Sequence, residues 1–122
     1  MVRNLLGRPK ERREADAFVV EGVRLIEEAL SAGWPFRFVL TGETLSPRGR
    51  ELVVKLISRH VEVEATTDDL LSSISETETS QGLLAVLALP YTEYQITEPL
   101  EFVLIPDSIR DPGNLGTLLR SA

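Results

Sequence analysis

The sequence has no cysteine and only one histidine, one tryptophan and one methionine among its 122 residues. Without thiols there is no disulfide framework and no thiolate metal site. His60 stands alone, so no metal centre is expected. The missing cysteines fit a reducing compartment, and a cytoplasmic location is the expectation. No run approaches the ~20 apolar residues of a membrane-spanning helix, so no membrane partner is expected. The opening stretch, MVRNLLGRPKERREAD, is charged and lacks the apolar centre of a secretory signal.

What is present suits a soluble globular chain: 43% apolar and 26% charged residues, enough for a core in one domain of ordinary size. The net charge of −6 argues at first against a nucleic-acid partner. Its distribution changes that view. Residues 1–59 carry a balance of +3, and residues 60–122 a balance of −9. Arg3, Arg8, Lys10, Arg12 and Arg13 fall within the first thirteen residues, opposed there only by Glu11. Such a cluster reads either as a solvated tail or as an arm that touches RNA phosphates.

Strand and helix signals then alternate. AFVVEG (17–22) is a β-branched and aromatic run ending at Gly22. In the segment that follows, Val23, Ile26 and Leu30 share one helical face, and Gly33 is a natural stop. FRFVLT (36–41) reads as a strand, and Ser46-Pro47 as the start of a helix burying Leu52, Val53, Leu56 and Ile57. VEVEA (61–65) alternates like a half-exposed strand, Thr67 caps a short acidic helix, and GLLAVLAL (82–89) reads as a central buried strand. This β-α-β-α-β-α-β order predicts a layered α/β domain over residues 1–89. Residues 90–99, bounded by prolines and without helical period, read as a linker.

A new strand is expected over 100–107, followed by a helix that Asp111 caps and Pro112 opens. Leu115, Leu118, Leu119 and Ala122 share its apolar face. Nothing closes that helix, and its strand has no later parallel neighbour. The chain is therefore expected to be the N-terminal piece of a longer protein.

DSIRDPGNLGTLLRSA resembles the first signature motif of the SpoU branch of the SPOUT RNA methyltransferases. The Asn-x-Gly-x-x-x-Arg-x-Ala pattern falls on Asn114, Gly116, Arg120 and Ala122. FVVEGVRLIEEAL and SETETSQGLLAVL resemble the start and the last strand of the substrate-binding domain that precedes the methyltransferase in many members. The resemblance implies a three-layer α/β sandwich like the kink-turn-binding ribosomal proteins, then the first strand and helix of a trefoil-knotted domain over 100–122. It implies rRNA or tRNA as partner, S-adenosylmethionine as methyl donor, a ribose 2′-hydroxyl as acceptor, and a homodimer through the catalytic domain. The family's cofactor motifs have no match in these residues. No cofactor is expected in this chain, which is expected to be inactive alone.

The same resemblance places Arg120 beside the target ribose and Asn114 in the active-site loop with Gly113 and Gly116. An arginine stays protonated, so it serves better as a phosphate fork or charge stabiliser than as a base. Its side chain leans toward the helix N-terminus, over Gly116. Asn114 reads equally as a loop-shaping hydrogen bonder. The Gly-x-x-Gly spacing lacks the Lys-Ser/Thr of a Walker loop, which excludes an NTPase reading. Glu21 and Gly22 belong to the substrate domain's RNA-binding signature by resemblance; physically, Glu21 suits the helix dipole and Gly22 a tight turn. Arg48, Lys55 and Arg59 share a helical stripe, with Glu51 set to pair Lys55. Trp34, between Gly33 and Pro35, reads as a packed turn residue. The alternative function is a stand-alone kink-turn-type RNA-binding module whose C-terminal tail meets a protein.

Overall fold

The structure, a computed structural model, describes Val2, Leu5 and residues 9–75, 81–89 and 103–121. The elements are α1 (Pro9–Glu14), β1 (Ala17–Glu21), α2 (Val23–Ser31), β2 (Phe36–Thr41), α3 (Pro47–Ser58), β3 (Val63–Ala65), α4 (Asp68–Ile74), β4 (Leu83–Ala88) and α5 (Pro112–Ser121). Two units are distinct, Met1–Tyr91 and Thr92–Ala122.

In the first unit the four strands form one sheet in the order β1-β4-β2-β3. β4 runs antiparallel to both β1 and β2, while β2 and β3 are parallel. β4 is thus an interior strand, and its apolar run serves two cores at once. Leu83, Ala85 and Leu87 face a cluster with Val23 and Ile26 of α2 and Leu52 and Leu56 of α3. Leu84 and Val86 face the opposite cluster, with Leu5, Ala17 and Leu71. The two-residue period of a strand separates these sets onto opposite faces. The result is the three-layer α/β sandwich, with α2 and α3 on one face of the sheet and the N-terminal segment and α4 on the other.

Local signals explain the helix boundaries. Ser46 Oγ accepts from the Gly49 amide at 3.0 Å and Pro47 opens α3. Thr67 Oγ1 accepts from the Leu70 amide at 3.2 Å and starts α4. α2 and α3 end in the same turn. The Gly33 amide bonds to Leu30 and the Trp34 amide to Ala29; likewise His60 bonds to Ile57 and Val61 to Leu56. Both turns need a left-handed residue, with φ 72° at Gly33 and 61° at His60. Ile26, Val39, Leu56 and Ala85 are fully enclosed. Cutting Leu56 to alanine would cost about 2–5 kcal/mol by loss of burial and creation of a cavity.

The N-terminal segment is anchored: Leu5 is 2% exposed and Val2 packs beside it. This departs from a fully solvated tail, because two apolar side chains of the segment complete the second core.

In the second unit, Asp111 Oδ1 accepts from the Gly113 amide at 2.8 Å, and α5 begins at Pro112. The strand expected over 100–107 is not formed by its described residues, 103–107, which are exposed. No neighbouring strand supplies a ladder among the described residues, and an unpaired strand leaves its amides and carbonyls to water. The linker expected over 90–99 lies outside the described residues.

Candidate RNA interface

The end of β1 delivers the chain into α2 through Gly22, whose φ of 94° is the left-handed region that glycine enters without strain. Gly22 has no side chain with which to cap α2. The cap comes from across the sheet: Gln81 Oε1 accepts the Val23 amide hydrogen at 3.1 Å. A Cβ at Gly22 would stand 3.1 Å from that same oxygen. Glu21 has a different task from the dipole role expected of it. Its Oε1 accepts a 2.6 Å hydrogen bond from the Ser75 hydroxyl, tying β1 to the end of α4.

Around this junction an open pocket of about 430 Å³ is lined by Val23, Arg24, Thr44, Ser46, Arg48 and Gln81. The starts of α2 and α3 both contribute to it, and helix N-termini favour anions. The loop that carries Thr44 is fixed by Asp68. Its Oδ1 accepts from the Glu43 amide at 2.8 Å and the Thr44 amide at 3.2 Å. Hydrogen bonds from Thr44, side chain first and then backbone, hold the Asp68 carboxyl below its ordinary value of 3.8.

Arg48 reaches across to α2, where its guanidinium is hydrogen-bonded to Glu27 Oε2. Lys55 Nζ lies 4.0 Å from Glu27 Oε1. The pairing with Glu51 expected from spacing is replaced by this contact, because α2 packs beside α3 and offers a carboxylate shared by two cations. The Arg48 hydrogen bond, with the charges of Arg48 and Lys55, holds Glu27 below its ordinary value of 4.5.

The other basic residues lie in another layer. Arg12 Nη1 donates to the Leu5 carbonyl at 3.2 Å, Lys10 pairs with Glu14 at 3.7 Å, and Arg13 is exposed. α1 packs against β1, and the pocket at the start of α2 takes none of Lys10, Arg12 and Arg13 into its lining. Arg3 and Arg8 lie outside the described residues. Arg24 and Gln81 are the site residues that the sequence reading did not single out. The Gln-Gly pair before β4 was a visible signal, whereas the pairing of Gln81 with Val23 is non-local.

In the second unit, Arg120 folds back along α5. Its Nη1 lies 3.3 Å from where a Gly116 Cβ would stand, and Nη2 donates to Thr117 Oγ1 at 3.4 Å. Asn114 is exposed in the first turn and makes no side-chain hydrogen bond among the described residues; Asp111 shapes that turn instead. No residue of α5 is buried. Among the described residues no group of three acidic, histidine or cysteine side chains could hold a metal. No helix there is long and apolar enough to cross a membrane.

A mixed four-stranded sheet between two helical layers, with a polar pocket where two helices begin, makes the first unit a layered α/β domain. Residues 1–85 match the MRM3-like substrate binding domain, and the chain belongs to that family. The chain is 34% identical over 114 residues to the 23S rRNA (guanosine(2553)-2'-O)-methyltransferase RlmP of Bacillus subtilis, covering 93% of this chain and 42% of that protein. It is 35% identical to the human mitochondrial rRNA methyltransferase 3, covering 91% of this chain and 27% of that protein. Among solved structures, an RNA 2'-O ribose methyltransferase matches with a TM-score of 0.72 and 29% identity, over 98% of this chain and 46% of that one. The SpoU methyltransferase AviRb from Streptomyces viridochromogenes, in complex with the cofactor AdoMet, matches with a TM-score of 0.60 and 34% identity, over 73% of this chain and 31% of that one. The chain thus spans less than half the length of these relatives.

Proposed function

We propose that this chain is the RNA-recognition part of an S-adenosylmethionine-dependent rRNA ribose 2′-O-methyltransferase. The observation that carries the reading is the match of residues 1–85 to a substrate-binding domain whose α2 start forms a polar pocket with Arg24 and Arg48. Residues 1–89 would bind the RNA, and 100–122 would open the methyltransferase domain after a linker at 90–99. Asn114, Gly113, Gly116 and Arg120 would serve its active-site loop. S-adenosylmethionine would be held by the rest of the whole enzyme, which would act in the cytoplasm as a homodimer. In this reading the 122-residue chain neither binds the cofactor nor methylates RNA. The stand-alone module with a protein-binding tail is the weaker reading, because the match to RlmP extends over 93% of the chain rather than stopping at the first domain.

The test is fluorescence anisotropy with a labelled, structured rRNA fragment at low and physiological salt. The intact chain should bind with micromolar affinity. A variant with Arg24 and Arg48 changed to alanine should bind at least tenfold more weakly, as should one with Arg3, Arg8, Lys10, Arg12 and Arg13 changed. If the intact chain binds at no salt concentration, the RNA-recognition role is wrong.

A further inference from the structure

We infer that a second pocket, at the opposite end of α2 and α3, receives an unpaired base of the bound RNA. This rests on the RNA-recognition reading and adds a contact to it. The pocket occupies about 430 Å³ and is lined by Trp34, Phe36, Arg37, Arg59, His60 and Glu62 among others. α2 separates it from the first pocket by about 14 Å of helix. Its lining combines an aromatic platform with guanidinium donors, the combination that single-stranded RNA uses for base stacking and edge contacts.

Two backbone departures and one exposed ring mark this end of the domain. Arg37 is an extra residue in β2: Phe36 pairs with Leu87 and Phe38 with Val86, so Arg37 is the bulged residue between them. Bulges re-aim a side chain, and the Arg37 guanidinium donates to the Asp16 carbonyl at 3.2 Å. His60 takes a left-handed turn that Gly33 fills without penalty at the end of α2. Trp34 is 37% exposed, although its ring meets Phe18 edge-on at 5.3 Å between centroids. It packs, as its place in the turn suggests, and still offers surface to the pocket.

The charge balance selects a base over a bare phosphate. The carboxyl ends of α2 and α3 point negative dipole into this region, and Glu62 adds a carboxylate. Arg37 and Arg59 offset that field, and Arg59 makes no ion pair among the described residues. A flat, neutral base stacked on Trp34 loses little to the negative ends and gains the guanidinium donors at its acceptor edge.

Trp34 is the only tryptophan in the chain, so its emission reports this pocket alone. The probe is a short oligouridylate, titrated into the intact chain with Trp34 emission and labelled-oligonucleotide anisotropy read in parallel. Emission should change saturably with the same midpoint as anisotropy. Arg59→Ala and His60→Gly should each weaken binding about three- to tenfold, and His60→Gly relieves the backbone, so it should fold at least as well as the parent. If anisotropy shows binding while Trp34 emission stays flat and both variants bind normally, the base site is overturned and the RNA-recognition reading survives. If neither the oligouridylate nor the structured rRNA fragment binds, both fall. If a polyglutamate peptide moves the emission and the oligouridylate does not, the pocket takes an acidic protein segment and the base site is overturned.

Discussion

Gln81 caps a helix to which it does not belong: its side-chain oxygen holds the Val23 amide at 3.1 Å from 58 residues away. The contact joins the start of α2 to the entrance of β4 and shapes one wall of the first pocket. α2 has no side-chain cap of its own, because Gly22 occupies that position. Gln81→Ala should therefore cost about 1 kcal/mol of stability, as a lost N-cap does. Gly22→Ala should cost more, since it adds strain at φ 94° and crowds the cap oxygen at 3.1 Å. Urea denaturation of both variants checks the order; equal stability of Gln81→Ala and the parent would remove Gln81 from this role.

How much of this was legible from the residues depends on the range of each interaction. Ser46 and Thr67 mark the starts of α3 and α4 because a cap acts on an amide three residues away. The β4 run announced an interior strand because both its faces are apolar. The partner of Lys55 was not legible, because Glu27 comes from another helix and is brought near only by packing. Leu5 was hidden for a similar reason. A leucine in a basic segment has no period to reveal it, and its partners Leu71 and Leu84 arrive from far along the chain. The expected strand at 100–107 rested on composition, which can favour extended backbone but cannot supply the neighbour that completes a ladder.

Acid should destabilise the domain through Glu27 and Asp68. Both carboxyls titrate lower in the folded chain than their ordinary values of 4.5 and 3.8. The folded state thus binds fewer protons than the unfolded one, and the stabilisation is complete above the ordinary value. It is lost as pH falls from about 4.5 through the lowered folded values. The denaturation midpoint should be flat from pH 7 to 5 and drop below that. Asp68→Asn should lower the plateau and flatten the drop, because the loop at Glu43 and Thr44 loses its charged acceptor. An unchanged acid limb in that variant would exclude Asp68 as a source.

Glu27→Gln should strengthen RNA binding. The carboxylate now neutralises Arg48 and holds Lys55 at 4.0 Å, so both cations are partly spent inside the protein. Freeing them strengthens the Arg48 contact and adds Lys55 as one further phosphate partner. Affinity at low salt should rise about two- to fivefold. The slope of log affinity against log salt should steepen by about 0.7–0.9, from a parent value near −3 to −4 if about four phosphates are contacted. A flatter slope, or weaker binding with the fold intact, would mean that Glu27 holds Arg48 in its binding geometry rather than shielding it.

Amides of α5 should exchange with solvent far faster than those of β4. Five of the six residues of β4 are buried, and its backbone is paired on both sides by β1 and β2. α5 spans ten residues and buries none. Leu115, Leu118 and Leu119 are 38%, 37% and 68% exposed, so the apolar face that periodicity assigns to packing contributes little burial. A helix this short is marginal in water without such packing. The Asp111 cap contributes only about 1 kcal/mol, which is too little to protect the later turns. Native-state hydrogen exchange should give opening free energies near zero for residues 115–121 and near the global value for 84–87. Leu118→Ala should then leave the urea midpoint of the domain unchanged, whereas Leu84→Ala should lower stability by about 2–5 kcal/mol. Protection at Leu118 equal to that at Val86 would require a partner for the α5 face, and concentration dependence of that protection would distinguish a second copy from the chain itself.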